Sequence, residues 1–251
     1  MGVIYIGDRE AGKTHLAMEL ANPNNQFAKV SNVDYEVLKS TLYDEGAQAT
    51  RPTEAISPVY DRFLEVDIKL RSGPKQITVD WIDTPGEIWR QSWQNDNPDA
   101  WEQFLKTARE SEGILLILPP YRSILKPGVD SELFITRAQW CNRFQRWVSF
   151  FKQECPRARH ILVCLSKADL IRDTDIDKEG FKLAYDPNGS QMNWQQRHDY
   201  VLNRYFRPIQ PQLEEISRNT AGLSVRCFVT SIYNRSLIEL PWIYLGSFLT
   251  S

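Results

Sequence analysis

Histidine is scarce in this chain, cysteine is sparse, and no stretch is both long and apolar. The three histidines are His15, His160 and His198, and the four cysteines are Cys141, Cys155, Cys164 and Cys227, with no C-x-x-C pair among them. That spacing argues against a zinc site, which needs neighbouring Cys or His ligands. Widely separated cysteines read as buried free thiols in a reducing compartment. No apolar run approaches the ~18 residues of a membrane span. The N-terminus passes from Val3-Ile4-Tyr5-Ile6 straight into Gly7, too short an apolar run for a secretory leader. A cytoplasmic protein is therefore expected. Charge of one sign is also missing: 30 Lys and Arg face 32 Asp and Glu, a net charge of −2. Without a broad basic surface, binding to nucleic acid by phosphate neutralisation is not expected. There is no internal repeat and no low-complexity tract.

What is present is a strand–helix alternation over 251 residues, enough for one domain with a good core. Val3–Ile6 is a short β-rich run, followed by helical GKTHLAMELA. FLEVDIKL (63–70) alternates apolar and polar residues as a half-exposed strand does. SGPK (72–75) signals a turn into ITVDWID (77–83), so these two strands form a hairpin. GILLILPP (113–120) and HILVCLS (160–166) are continuous apolar runs, the mark of buried parallel strands. SVRCFVTS (224–231) is the last strand, and helices are expected over 98–112, 132–151 and 194–219, the last interrupted near Pro208 and Pro211. The order predicts an α/β fold in three layers: a mainly parallel sheet with one antiparallel edge strand and helices on both faces. Residues 22–60 and 170–193 read as insertions within a single domain spanning 1–251, with an extra helix in DYEVLKSTLYDEG.

Gly7-Asp8-Arg9-Glu10-Ala11-Gly12-Lys13-Thr14 matches G-x-x-x-x-G-K-[ST], between an apolar strand and a helix. The glycines let backbone N–H groups converge on an anion, and a helix N-terminus adds positive potential. Lys13 supplies a cation for the β- and γ-phosphates, and Thr14 a hydroxyl for Mg²⁺. Nucleotide-binding residues are thus expected among Gly7, Arg9, Glu10, Ala11, Gly12, Lys13, Thr14 and His15. In DWIDTPGE (80–87), Asp83 closes a strand and Gly86 follows three residues on. Such strand ends are where open α/β sheets bind ligands, so Asp83 is a candidate for Mg²⁺ and Gly86 for the γ-phosphate. In SKAD (166–169), Lys167 can lay its stem along a purine and Asp169 can accept from guanine N1–H and the 2-amino group. Adenine offers neither donor, so a site built around that pair discriminates strongly.

In order and each at a strand end, the P-loop, D-x-x-G and K-x-D resemble the Ras-like GTPase domain of the translation-factor-related class. The resemblance covers roughly Gly2 to Ile232. It implies a P-loop NTPase fold of about six strands, Mg²⁺ and GTP or GDP as ligands, and slow hydrolysis coupled to two mobile switch segments. By the same resemblance, Ser231 at the end of the last strand touches the guanine oxygen. A first-switch threonine binds Mg²⁺ and the γ-phosphate; Thr53 is preferred, with Thr50 the alternative. A long first switch and a tryptophan-rich second switch with Trp89, Trp93 and Trp101 further resemble the bacterial double-GTPase proteins. An effector or regulator protein is expected at the region around Trp89 and Trp93, since aromatic residues are enriched at binding hot spots.

The sequence also departs from that pattern. Glu87 follows D-x-x-G where a glutamine or histidine commonly orients water. It serves as base, points away, or leaves hydrolysis slow. Arg9 takes a position that is often glycine, and Arg9 or Arg51 is a candidate finger supplied in cis. Ser166 replaces the usual Asn or Thr before Lys167. Two alternatives stay open: a P-loop ATPase or kinase in which SKAD is accidental, and a GTP-binding interaction module without turnover. The C-terminal IYNRSLIELPWIYLGSFLTS contains Pro241 and is scant for a terminal helix. Its apolar residues are expected to dock on a partner, or the chain to be one domain of a larger protein.

Overall fold

Three of the most apolar runs, VIYIG, GILLIL and HILVCL, lie side by side in the middle of one sheet. The computed structural model describes residues 2–8, 10–44, 49–50, 61–82, 91–189, 191–219 and 222–249. Its strands are β1 (Val3–Gly7), β2 (Ala28–Val30), β3 (Tyr43–Asp44), β4 (Ala49–Thr50), β5 (Asp61–Leu70), β6 (Gly73–Ile82), β7 (Gly113–Leu118), β8 (His160–Leu165) and β9 (Ser224–Val229). Seven of these form one sheet in the order β2-β5-β6-β1-β7-β8-β9, while β3 and β4 pair as a separate ribbon. β6, β1, β7, β8 and β9 run parallel, β5 pairs antiparallel with β6, and β2 pairs antiparallel with β5. β1 and β7 are buried throughout, as strands covered on both faces must be.

The helices are α1 (Lys13–Leu20), α2 (Tyr35–Leu42), α3 (Gln91–Asp96), α4 (Pro98–Glu110), α5 (Arg137–Glu154), α6 (Ile176–Leu183), α7 (Trp194–Val201), α8 (Gln210–Asn219) and α9 (Arg235–Phe248). The chain reverses direction at β1, stepping toward β5 and β6 first and then back across to β7, β8 and β9. Right-handed crossovers therefore send α1 to one face and α4, α5 and α8 to the other. The packing agrees: α9 touches α1 and lies along β2, β5 and β6, whereas α5 touches α4 and α8. The reversal leaves a crevice at the carboxyl end of β1, between β6 and β7, where such sheets bind ligands.

The expected fold class is found, with one strand more in the main sheet than the sequence reading gave and the β3–β4 ribbon besides. The addition to the sheet is β2, too short to show a period, and it borders β5. The hairpin turns at Arg71-Ser72, and β6 begins at Gly73, whose φ of 117° only glycine adopts readily. α5 starts at Arg137 rather than near residue 132, because Thr136 caps it and forms a capping box with Gln139. The expected break near Pro208 and Pro211 is a π turn at Leu202–Phe206 and a 3-10 turn at Arg207–Ile209, which leads into α8. α2 is the expected extra helix.

The C-terminal segment corrects its expectation. It forms α9, with Leu237 to Gly246 buried around the full circumference, Pro241 included. Asn234 caps it, its side chain accepting from Leu237 N–H. Buried Glu239 on α9 accepts from the N–H groups of Gln26 and Phe27, tying the entry of β2 to the helix. The apolar tail is thus a layer of the chain's own core. Among the described residues, no helix is long and apolar enough to cross a membrane. Of the cysteines, Cys155, Cys164 and Cys227 are buried and Cys141 partly so, all as free thiols.

Candidate functional site

The loop that leaves β1 is shaped by what surrounds it. Gly7 lies so close to β7 that an added Cβ would stand 2.2 Å from Ile117 O. Asp8 N–H donates to the same Ile117 O at 3.1 Å, and Ala11 N–H turns back to Asp8 O at 3.3 Å. Glu10 (φ 61°) and Gly12 (φ 77°) both take the left-handed conformation that curls the chain. Gly12 then caps α1, and Ala11 is fully buried beneath the loop. The sequence therefore produces a strand, a tight curl and a helix N-terminus, an arrangement whose chemistry suits an anion.

Lys13 is 6% exposed, and its Nζ donates to Gly7 O and Asp8 O, at 3.1 Å each. The ammonium thus folds back over the loop. Tyr5 Oη donates to Lys13 O at 3.1 Å and fixes the first turn from below. Thr14 follows on that turn. Half-buried His15 has its pKa lowered by burial, opposed by Glu19, with Lys167 adding to the depression. His15 is therefore a neutral imidazole near neutral pH.

A second cluster assembles from the ends of β8 and β9. Ser166 Oγ donates to Leu118 O at 3.1 Å, closing β8 onto β7, so this serine works as a strand tie. Lys167 takes φ 53°, which turns the chain so that Ala168 N–H reaches Thr230 O at 3.1 Å. Fully buried Ser231 donates from Oγ to Asp169 Oδ1 at 2.6 Å, and Tyr233 N–H donates to Ser231 Oγ at 3.3 Å. Lys167 Nζ lies 5.5 Å from the centre of the Phe134 ring. Burial lowers the pKa of Lys167, and the charges of Glu10 and Asp169 oppose that shift.

The two clusters meet. A Cβ on Gly12 would lie 3.8 Å from Lys167 Cε. Gly7, Glu10, Ala11, Gly12, Lys13, Thr14, His15, Lys167, Asp169 and Ser231 are thereby brought to one sheet edge. Arg9, Arg51, Thr53, Asp83, Gly86, Glu87 and Trp89 lie outside the described residues. Thr50 falls in β4 and Trp93 in α3.

Three solved structures align with this chain at low identity. The crystal structure of a GTP-binding protein from the archaeon Sulfolobus solfataricus, in complex with GDP, aligns at 12% identity with a TM-score of 0.47. The alignment covers 99% of this chain and 53% of the archaeal one, so this chain spans about half of its length. A structure of a point variant of SsGBP aligns at 14% identity and TM-score 0.42, over 98% of this chain and 56% of that one. A structure of nucleolar GTP-binding protein 1 from Plasmodium falciparum aligns at 11% identity and TM-score 0.41, over 97% of this chain and 82% of that one. No protein-family model and no curated protein matches the chain. Identities this low transfer no residue roles, so the site has to be read from its own chemistry.

Two site residues escaped the sequence reading. Asp8 occupies a variable position of the motif, yet it is 8% exposed and accepts from Trp147 Nε1 of α5 at 2.9 Å. The signal available was electrostatic: a carboxylate inside an anion cradle is out of place. Phe134, the ring beside Lys167, precedes α5 and carried no signal. Magnesium fits the donor chemistry of the first turn of α1. It commonly takes one or two protein oxygens with phosphate oxygens and water, and Thr14 offers such an oxygen. No group of three or more His, Cys, Asp or Glu suited to a metal occurs among the described residues.

Proposed function

We propose that this chain is a GTP-binding switch protein that hydrolyses GTP slowly, with Mg²⁺. The observation that carries this reading is the convergence of Lys167, Asp169 and Ser231 beside the Gly7–Thr14 cradle. A phosphate cradle alone fits any nucleoside triphosphate. A carboxylate aligned by a buried hydroxyl, with a lysine stem beside it, selects a base that presents two adjacent donors. Guanine does so and adenine does not.

In this reading Lys13 exchanges its bonds to Gly7 O and Asp8 O for phosphate oxygens, and the N-terminus of α1 supplies N–H donors. Thr14 would hold Mg²⁺ through its hydroxyl, with Asp83 and Thr53 as further ligands; the ion neutralises charge on the phosphates. Asp169 accepts from the base and Ser231 holds it in place. Gly86 is assigned to the γ-phosphate and Glu87 to the water, which attacks the γ-phosphorus in line. Positioning and electrostatics supply most of such catalysis. The region around Trp89 and Trp93 is the proposed contact for an effector or regulator.

The test is a titration with GTP, GDP and ATP in Mg²⁺, followed by tryptophan fluorescence and by phosphate release. Trp147, bonded to Asp8 in the cradle, is a built-in reporter. Tight guanine-nucleotide binding with ATP ignored, and slow phosphate release, is the expected result. ATP bound as tightly as GTP would replace this reading with a P-loop ATPase or kinase. GTP bound with no phosphate release over hours would make the chain an interaction module.

A further inference from the structure

The cradle holds a carboxyl group that the proposed function does not use. Asp8 Oδ1 accepts from Trp147 Nε1 at 2.9 Å, while Asp8 Oδ2 is buried with no hydrogen-bond partner among the described residues. The backbone of Asp8 is tied to β7, its N–H donating to Ile117 O at 3.1 Å. α5 contributes the Trp147 indole and the charges of Arg143 and Arg146, and the loop contributes Lys13. The main charges acting on Asp8, those of Arg143, Lys13 and Arg146, are cationic, while the loop's other carboxylate, Glu10, acts on Lys167.

Burial is nevertheless the largest influence and raises the Asp8 pKa above the usual carboxylate range, against the Trp147 hydrogen bond and the Arg143, Lys13 and Arg146 charges. The nucleotide reading adds a further charge: phosphates arriving in the same loop bring several negative charges and draw Lys13 toward themselves. An ionised Asp8 then loses cationic compensation while it gains anionic neighbours, and a buried, uncompensated charge is costly.

Resting on that reading, we infer that Asp8 is a positioning residue that holds the phosphate loop to α5 through Trp147, and that its carboxyl group carries a proton when nucleotide is bound tightly. At pH values above the titration of Asp8 in the free protein, nucleotide binding then takes up one proton from solvent onto the Asp8 carboxylate. Affinity falls as pH rises through the titration of Asp8 in the free protein, by about tenfold per pH unit in the limit of one linked proton.

The experiment is calorimetric titration with GDP and Mg²⁺ from pH 5.5 to 9, at each pH in two buffers of different ionisation enthalpy. The wild-type chain is compared with Asp8→Asn and Trp147→Phe. Asparagine keeps an acceptor for the indole and cannot ionise. The ratio of Asp8→Asn to wild-type affinity should climb with pH, and proton uptake seen in the wild type should vanish in the variant. This comparison cancels the nucleotide's own titration. Trp147→Phe removes the donor that favours the ionised form, so its fall in affinity should begin at higher pH than in the wild type. A constant affinity ratio with tight GDP binding would overturn the role of Asp8 and leave the nucleotide reading intact. Equal proton uptake by wild type and Asp8→Asn would do the same. Should Asp8→Asn not fold, wild-type binding without excess proton uptake, or a Trp147→Phe profile that does not shift, overturns it. No GDP binding at any pH would defeat the nucleotide reading and this inference together.

Discussion

Ser231 Oγ donates to Asp169 Oδ1 at 2.6 Å, joining the end of β9 to the carboxylate proposed to read the base. Ser231 is fully buried, so the hydroxyl has no competing water. The bond leaves lone pairs on both carboxylate oxygens and fixes the direction in which they point. Ser231→Ala should therefore weaken GDP binding about tenfold, the scale of a net hydrogen bond to a charged group. Asp169→Asn places an amide donor against the guanine donors and should reduce the preference for GTP over ATP by at least about a hundredfold. Competition titrations with the two nucleotides measure both effects. An unchanged preference in Asp169→Asn would remove that residue from base recognition.

Lys13 shows the same separation of folding from binding. Its ammonium is held by two carbonyls of its own loop, Gly7 O and Asp8 O. Lys13→Ala should abolish nucleotide binding within the range of a millimolar titration. In the nucleotide-free protein it should cost about 3–6 kcal/mol, the value of two hydrogen bonds from a charged donor at about 1.5–3 kcal/mol each. Urea unfolding alongside GDP calorimetry separates the two. Retained binding at micromolar GDP would show that the loop does not use this cation.

Much of the sheet was legible because its strands are extreme. VIYIG, GILLIL and HILVCL are buried on both faces, and no amphipathic helix tolerates such runs. Both ends of the candidate site were legible for a related reason: the proposed phosphate cradle and base reader need particular residue types at fixed spacing. What stayed hidden depends on contacts between distant segments. β2 exists as a strand through its pairing with β5 and the hold of Glu239, 209 or more residues away in sequence from β2 itself. α9 was hidden by Pro241, because a proline argues locally against a helix and burial of ten neighbouring residues overrides that cost. Asp8 and Trp147 were hidden because their relation spans 139 positions.

Gly7 tests how tightly the cradle is built into the fold. A methyl group there would meet the backbone of Ile117 at 2.2 Å, a contact that no side-chain rotation relieves. Gly128 offers a contrast: its φ is 87°, but an added Cβ meets nothing within 4 Å. Gly7→Ala should cost about 3 kcal/mol or more by forcing β1 from β7. Gly128→Ala should cost about 1 kcal/mol, from backbone strain alone. For a chain of this size the first corresponds to a fall in Tm of roughly 6–12 °C. Similar melting temperatures for the two variants would mean that the loop can shift away from β7.

Glu239 makes a pH-dependent prediction about the fold itself. The side chain is 3% exposed and accepts from the N–H groups of Gln26 and Phe27. Burial raises its pKa above the ordinary glutamate value of 4.5, and hydrogen bonds from Gln26, Phe27 and Ala28 together with the Arg235 charge only partly offset that rise. The unfolded chain therefore gives up this proton first. The stability that Glu239 contributes is complete below pH 4.5, and it is lost as pH rises through the higher folded-state value. Glu239→Gln keeps an acceptor for the β2 backbone and cannot ionise, so wild-type stability relative to this variant should decline across that window and level off above it. Glu239→Leu removes the acceptor at every pH and should cost about 2–4 kcal/mol by leaving buried N–H groups unmet. Urea unfolding of the three proteins between pH 4 and 7 distinguishes these effects. A wild-type stability that rises with pH relative to Glu239→Gln would mean that the N–H groups outweigh burial, and that Glu239 holds β2 as a comfortable anion.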